Sequence, residues 1–426
     1  MPRNRQIVLF FIATACLAAS SGVHESIFNN FLSDSFGLKA NQRGWLEFPR
    51  ELPGFLVVVM AGALSALTVT RLGLVACLTL AGGLAGMAIV GTQWAGMIAM
   101  MLVASAGMHL MQPVEASIAT GLSESETRGK RMGQAGAIGT VGMIVGSGFV
   151  WLAFDRAKPW YPMGFLCAAG AALAAAVIYH RLQMPHLHQP RARFVARRQY
   201  SLYYVLELFA GARKQIFLTF GPWVLIKIYD RPAAYIAGLY VISNTSGIVV
   251  KPLVGWAIDR FGERAVLIAD GLILAGVCLG YGFAGTLGAA AEAAGWTGDA
   301  AGLGLGIASA CFILDHLLFS LSSARAVYVS RLADSPQDLT STLSLGVSIN
   351  HVSSMTIPAI AGAVWVGFGY QRLFVSAAVL ALVTSALASR VPGRRSRSPE
   401  SNEAGGRASR DLATAVHDAA AVSDDA

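Results

Sequence analysis

The chain reads as an all-α integral membrane protein of twelve spanning helices, built as two pseudo-symmetric six-helix halves. Three features carry that reading. Of 426 residues 55% are hydrophobic, only 13% are charged, and apolar runs recur along almost the whole chain. A soluble domain carries about a quarter of its residues as Asp, Glu, Lys and Arg, so this composition excludes a disordered chain and argues against a soluble enzyme. The net charge of +8 lies in short loops and tails between apolar runs. That is the pattern of basic cytoplasmic loops rather than of a nucleic-acid binder. The five cysteines (Cys16, Cys77, Cys167, Cys278 and Cys311) all fall in apolar stretches without metal spacing, and read as small buried hydrophobes.

A bilayer core needs roughly 20 apolar residues per helix. That ruler predicts spans near 6–32, 44–68, 73–92, 95–122, 132–154, 159–181, 200–228, 232–257, 264–286, 303–331, 339–366 and 370–391. The first resembles a signal peptide from Ile7 to Ser21, with Ala18, Ala19 and Ser20 imitating a cleavage site. Its continuation through His24, Glu25 and Ile27 to Phe31 predicts an uncleaved helix. Alternate connections hold Arg71, then Arg128, Lys130 and Arg131, then Arg181, Arg191, Arg193, Arg197 and Arg198, then Arg260 and Arg264. Arg3, Arg5, Arg390, Arg394, Arg395 and Arg397 add to that side, so the positive-inside bias predicts two cytoplasmic termini in a multi-pass, bacterial inner-membrane protein. The predicted organisation is an N-terminal bundle at 1–181, a polar cytoplasmic linker at 182–199, a C-terminal bundle at 200–391 and a disordered tail at 392–426.

Weak internal matches keep their order across the halves. A shift of 189 lays Gly22–Phe28 over Gly211–Phe217, and a shift of 193 lays Gly54 over Gly247 and Gly62 over Gly255. A shift of 207 lays His109 over His316 and Gly139 over Gly346. Six-span halves related by pseudo-symmetry are a transporter architecture with the site at their interface.

Residues 255–264 read Gly255-Trp-Ala-Ile-Asp259-Arg260-Phe-Gly262-Glu-Arg264. This resembles the loop signature Gly-x-x-x-Asp-Arg/Lys-x-Gly-x-Arg/Lys of the major facilitator superfamily, and the likeness extends over about residues 6–391. The resemblance implies a secondary transporter working by alternating access, with Asp259 and Arg260 in a cytoplasmic gate. It also implies that helices 1, 4, 7 and 10 line the cavity while 3, 6, 9 and 12 face lipid. Three departures stand out. The first-half loop has Ala66 in place of the Asp and keeps only Arg71; helix 4 carries His109, Gln112 and Glu115 without the usual Arg; and the glycines of helix 5 lack the antiporter Gly-Pro pair.

Ionised side chains in a bilayer are expensive and therefore candidates for function. They fall on helix 1 (His24, Glu25), helix 4 (His109, Glu115), helix 7 (Glu207, Arg213, Lys214) and helix 10 (Asp315, His316, Arg325). Helices 3, 6 and 12 have none in their interiors, and helix 9 has only Asp270. Spacings of three and four place Glu47, Arg50 and Glu51 on one face of helix 2, a gating or ion-paired cluster beside Pro49 and Pro53. The predicted binding and coupling set is Glu25, Arg50, His109, Arg213, Lys214, Asp315, His316, Asn350 and His351; the predicted gating set is Glu47, Glu51, Asp259 and Arg260. The repeat sets Glu25 opposite Lys214 as an expected pair, and either Glu25 or Asp315 is open to a proton-coupling role or to a static pair.

Arg50, Arg213, Lys214, Lys251 and Arg325 favour a small polar, anionic solute. Two other readings stay open. His24, His109, His316 and His351 with carboxylates fit a transition metal such as iron, or its chelate, as cargo. The degenerate first-half loop fits a sensor or assembly partner that kept the fold. No enzyme motif and no cofactor or resident-metal site is predicted. The expected partners are the solute, protons and the lipid bilayer, with no nucleic acid, and the expected state is a monomer.

Overall fold

The computed structural model describes residues 3–64, 66–123, 128–155, 159–184 and 196–393. The central part of the predicted linker (185–195), Arg156, Lys158 and the tail beyond residue 393 lie outside the described residues. The first half comprises α1 (Arg3–Phe36), α2 (Ala40–Trp45), α3 (Glu47–Phe55), α4 (Val57–Ala63), α5 (Val69–Val90), α6 (Trp94–Gly121), α7 (Arg128–Ala153) and α8 (Tyr161–Arg181). The second comprises α9 (Ser201–Lys227), α10 (Ala233–Gly282), α11 (Ala284–Ala293), α12 (Ala300–Leu318), α13 (Ser323–Leu332), α14 (Pro336–Phe368) and α15 (Tyr370–Ala388).

Among the described residues, nine helices are long and apolar enough to cross a membrane. One of them, α10, holds two passes joined at Gly262, whose φ of 81° interrupts the helix. Glycine is the residue that adopts this backbone without strain. The two remaining passes fall short for different reasons: the second is broken into the short helices α2, α3 and α4, whereas α9 is long enough but carries Glu207, Arg213 and Lys214. The pattern is the expected twelve passes.

The second pass is broken rather than continuous over 44–68. Pro49 sits in the first turn of α3, where its missing N–H matters little, whereas Pro53 lies deeper and the helix ends at Leu56. The tenth pass is likewise interrupted, by a 3-10 turn at Phe319–Ser322 between α12 and α13. The ninth turns at Phe283 into α11, so the first part of the expected loop 287–302, up to Ala293, is helical.

Small residues allow close helix packing in lipid, where chain-to-chain burial gains little over burial in acyl tails. On α7, Gly142 and Gly146 abut the Ala15 and Ala19 carbonyls of α1. The halves meet along two seams, α10 against α7 and α14 against α2 and α3. We call the end bearing Arg3 and the 182–199 connection the terminal face, and the other end the distal face. The distal seam is tight: a methyl group on Gly44 would collide with the Pro358 carbonyl, and one on Gly362 would lie 2.5 Å from the Ala40 carbonyl. Asn30 also donates to the Arg231 carbonyl across the halves at 3.0 Å.

Gly44→Val is therefore expected to separate α2 from α14. Overpacking costs about 1–3 kcal/mol, enough to shift closed toward open by roughly tenfold. In an otherwise cysteine-free protein, Ala40→Cys, buried in the closed seam, should react about tenfold faster with a maleimide when Gly44→Val is added. An unchanged rate would show that this contact does not hold the seam shut.

Candidate functional site

The second half encloses a cavity of about 390 Å³ in which α9, the second pass of α10, α13, α14 and α15 take part. Its charged and amide lining is Glu207, Arg213, Lys214, Asp270, Arg325 and Asn350, with the hydroxyls of Ser322 and Thr384. Arg213 donates to Asp315, which is fully buried. Arg325 Nε donates to Glu207 Oε1 at 2.8 Å, and Asn350 Nδ2 donates to Glu207 Oε2 at 2.6 Å. Lys214 Nζ donates to Asn350 Oδ1 at 3.1 Å. Two of the three cations thus face carboxylates, while the half-buried ammonium of Lys214 is held by a neutral amide. Among the described residues the cavity wall carries one cation with no carboxylate bonded to it.

Asp270 changes the sequence picture. Helix 9 was expected to face lipid, yet Asp270, Gly271 and Leu274 line the cavity, as do Ala381 and Thr384 of helix 12. Asp270 is buried, and its Oδ1 has no hydrogen-bond partner among the described residues. The legible signal was that Asp270 is the sole ionisable residue inside its span.

The first half holds a second cavity of about 560 Å³ with opposite chemistry. Glu25 and Glu115 line it together with Gln112 and the thioethers of Met108, Met111, Met132 and Met143. The expected pair of Glu25 with Lys214 is not formed: Lys214 is engaged by Asn350, and the charge acting on Glu25 is that of Arg50. The repeat aligns the two residues in sequence, but the halves are too unequal in side chains for that symmetry to make a pair.

Between the halves lies the charged cluster of the second pass. Glu47, fully buried, joins Arg43 at 2.5 Å and Arg50 at 2.6 Å. Arg43, one residue before the predicted span 44–68, is 2% exposed and also donates to Asn29 Oδ1 at 2.9 Å. Its spacing of four from Glu47 was the available signal. Arg50 reaches Glu51 Oε1 at 3.0 Å, so this guanidinium is committed to two carboxylates.

The four histidines do not converge. His24 sits among Phe28 and Phe165. His316 stacks on Phe312 and edges onto Tyr240 and Phe319; its Nδ1 lacks a hydrogen-bond partner among the described residues, and Asp315 turns to Arg213 instead. His109 and His351 do meet, with ring centroids 5.2 Å apart across the halves. At the loop after the eighth pass, Asp259 and Arg260 are exposed, and the buried Glu263 ties this loop to α13 through Arg331 at 2.7 Å. Lys251 donates to Thr140 across the α10–α7 seam at 3.0 Å rather than lining the cavity.

The sequence profile of the Major Facilitator Superfamily matches residues 10–320. The chain belongs to that family. No curated protein sequence matches it. Among solved structures, the nucleoside transporter NupG is similar over 90% of this chain and 98% of its own, at a TM-score of 0.71 and 14% identity. A D-xylose-proton symporter aligns over 91% of this chain and 97% of its own, with a TM-score of 0.67 and 13% identity. The human organic anion transporter MFSD10 (TETRAN) aligns over 91% and 100%, with a TM-score of 0.60 and 14% identity. These likenesses show the fold, and the family match with the long apolar helices makes the chain a multi-pass membrane protein.

Proposed function

We propose that this protein is a secondary transporter that carries a small polar solute bearing an anionic group, bound through Lys214. The observation behind this is the neutral partner of that lysine: Arg213 and Arg325 already pair with Asp315 and Glu207, whereas among the described residues Lys214 is hydrogen-bonded to the Asn350 amide and to no carboxylate. An incoming carboxylate or phosphate gains a charge-assisted hydrogen bond there without displacing a resident anion. The similar solved structures are a nucleoside transporter, a D-xylose-proton symporter and an organic anion transporter, so the fold leaves the solute open and the cavity chemistry supports the choice.

Arg71, Arg131, Arg181 and Arg197 lie at the terminal face, which supports a cytoplasmic placement of that face. With the distal seam shut, the structure then corresponds to an inward-open or inward-occluded state of the alternating-access cycle. Asp270 and Asp315 flank Arg213 in the proposed coupling step: proton binding at Asp270 leaves Arg213 balanced by Asp315 alone and makes the cavity more positive for the anion. Asp259 and Arg260 keep a proposed role at the cytoplasmic gate, and Glu47 with Glu51 at the seam of the halves.

A thermal-shift panel in detergent tests the solute class. Binding at a hundred times Kd stabilises by about 2.7 kcal/mol, so organic anions should raise the melting temperature while neutral sugars and nucleosides at equal concentration should not. Stabilisation by neutral solutes alone would overturn the anion assignment.

A further inference from the structure

From the cluster where the halves meet we infer a binding site for a divalent first-row transition metal, formed by Glu51, His109 and His351. The three ligand atoms, one from each residue, lie within 4.8 Å of one another. Glu51 Oε2 is 3.3 Å from His351 Nδ1 and 3.8 Å from His109 Nε2. Ligands about 2.0–2.1 Å from a tetrahedral ion stand roughly 3.4 Å apart, so small side-chain movements suffice. Two imidazoles and one carboxylate, with a fourth position left for water or solute, form a donor set suited to zinc, cobalt or iron.

Three details separate this cluster from a chance contact. His109 Nδ1 lies 2.9 Å from the Ser105 carbonyl, which can only accept, so that nitrogen carries the proton and Nε2 presents its lone pair to the cluster. Metal-bound histidines are held in this way by their second nitrogen. Glu51 divides its oxygens: Oε1 meets Arg50 at 3.0 Å, leaving Oε2 for the imidazoles. And Gly54 makes the room, since a methyl group there would lie 2.5 Å from both rings.

Glu51 and His109 belong to the first half and His351 to the second. A bound ion takes the place of the His351 proton shared with Glu51 and pins the α3–α14 seam closed. The site adjoins the Lys214 chamber but does not depend on it, so the failure of one reading leaves the other standing.

The test uses the full chain carrying His186→Gln and His188→Gln, purified through a histidine-free tag and titrated with Co²⁺. The expected result is one Co²⁺ per chain with the intense visible bands of a low-coordinate site, and a higher melting temperature. His109→Gln and His351→Gln should each weaken binding by more than about tenfold, the least that even an outer partner of a metal ligand contributes. Gly54→Ala, which keeps all three ligands, should weaken it as well by forcing the rings apart. Octahedral-type weak bands, or affinity unchanged in both histidine variants, would overturn the proposal. A histidine variant whose metal-free melting temperature matches the parent yet still binds Co²⁺ equally would do the same.

Discussion

Asp315→Ala is expected to destabilise the protein by about 3–5 kcal/mol, the cost of leaving one partner of a buried ion pair uncompensated. Asp315 is fully buried and receives the guanidinium of Arg213, itself only 5% exposed. No other carboxylate is hydrogen-bonded to Arg213 among the described residues: Glu207 is taken by Arg325 and Asn350, and Asp270 lines the same cavity without a bond to it. The double variant Asp315→Leu with Arg213→Met removes both charges and should recover most of the loss, since apolar replacements of a buried pair are often neutral. Equilibrium unfolding in detergent, monitored for the parent, both singles and the double, measures this. A single variant as stable as the parent would mean that Arg213 is not held by Asp315.

The second large effect concerns binding. Lys214→Gln keeps a hydrogen-bond donor for Asn350 but removes the charge, so the fold should survive while anion affinity falls. Truncating one partner of a buried charge pair costs about 2–5 kcal/mol, and the lower figure is already roughly thirtyfold in Kd. Lys214→Arg should keep part of the affinity, because the charge persists with a different reach. Isothermal titration with the best anion from the thermal-shift panel reads all three proteins.

Much of the architecture was legible in the sequence, for a physical reason: bilayer thickness imposes a length on every apolar run. The predicted spans 73–92, 159–181 and 370–391 lie within a few residues of α5, α8 and α15. The breaks in the second and tenth passes were harder to see. Pro53 announces one, but nothing local announces the turn at Phe319–Ser322. Charge on helices 7 and 10 marked Arg213, Lys214, Asp315 and Arg325, which the structure brings together in and beside one cavity, as expected where charges in lipid must face a partner or a cavity.

Pairing was the part that periodicity could not supply. Sequence symmetry set Glu25 against Lys214, whereas the structure engages Lys214 with Asn350 on α14. Adjacency set Asp315 beside His316, but neighbours on a helix point apart, and Asp315 meets Arg213 while His316 enters an aromatic cage. The contact of His109 with His351 joins helices 4 and 11, which no repeat offset aligns.

Counterflow in proteoliposomes probes the heart of the account, that an ammonium without a resident carboxylate draws an anion into a chamber reached alternately from two sides. With unlabelled anion trapped inside, the wild-type protein should accumulate the labelled anion transiently, and Lys214→Gln, reconstituted at equal density, should reduce the initial rate at least about thirtyfold. Equal counterflow by the two proteins, or none by a wild-type protein that binds the anion, would contradict it.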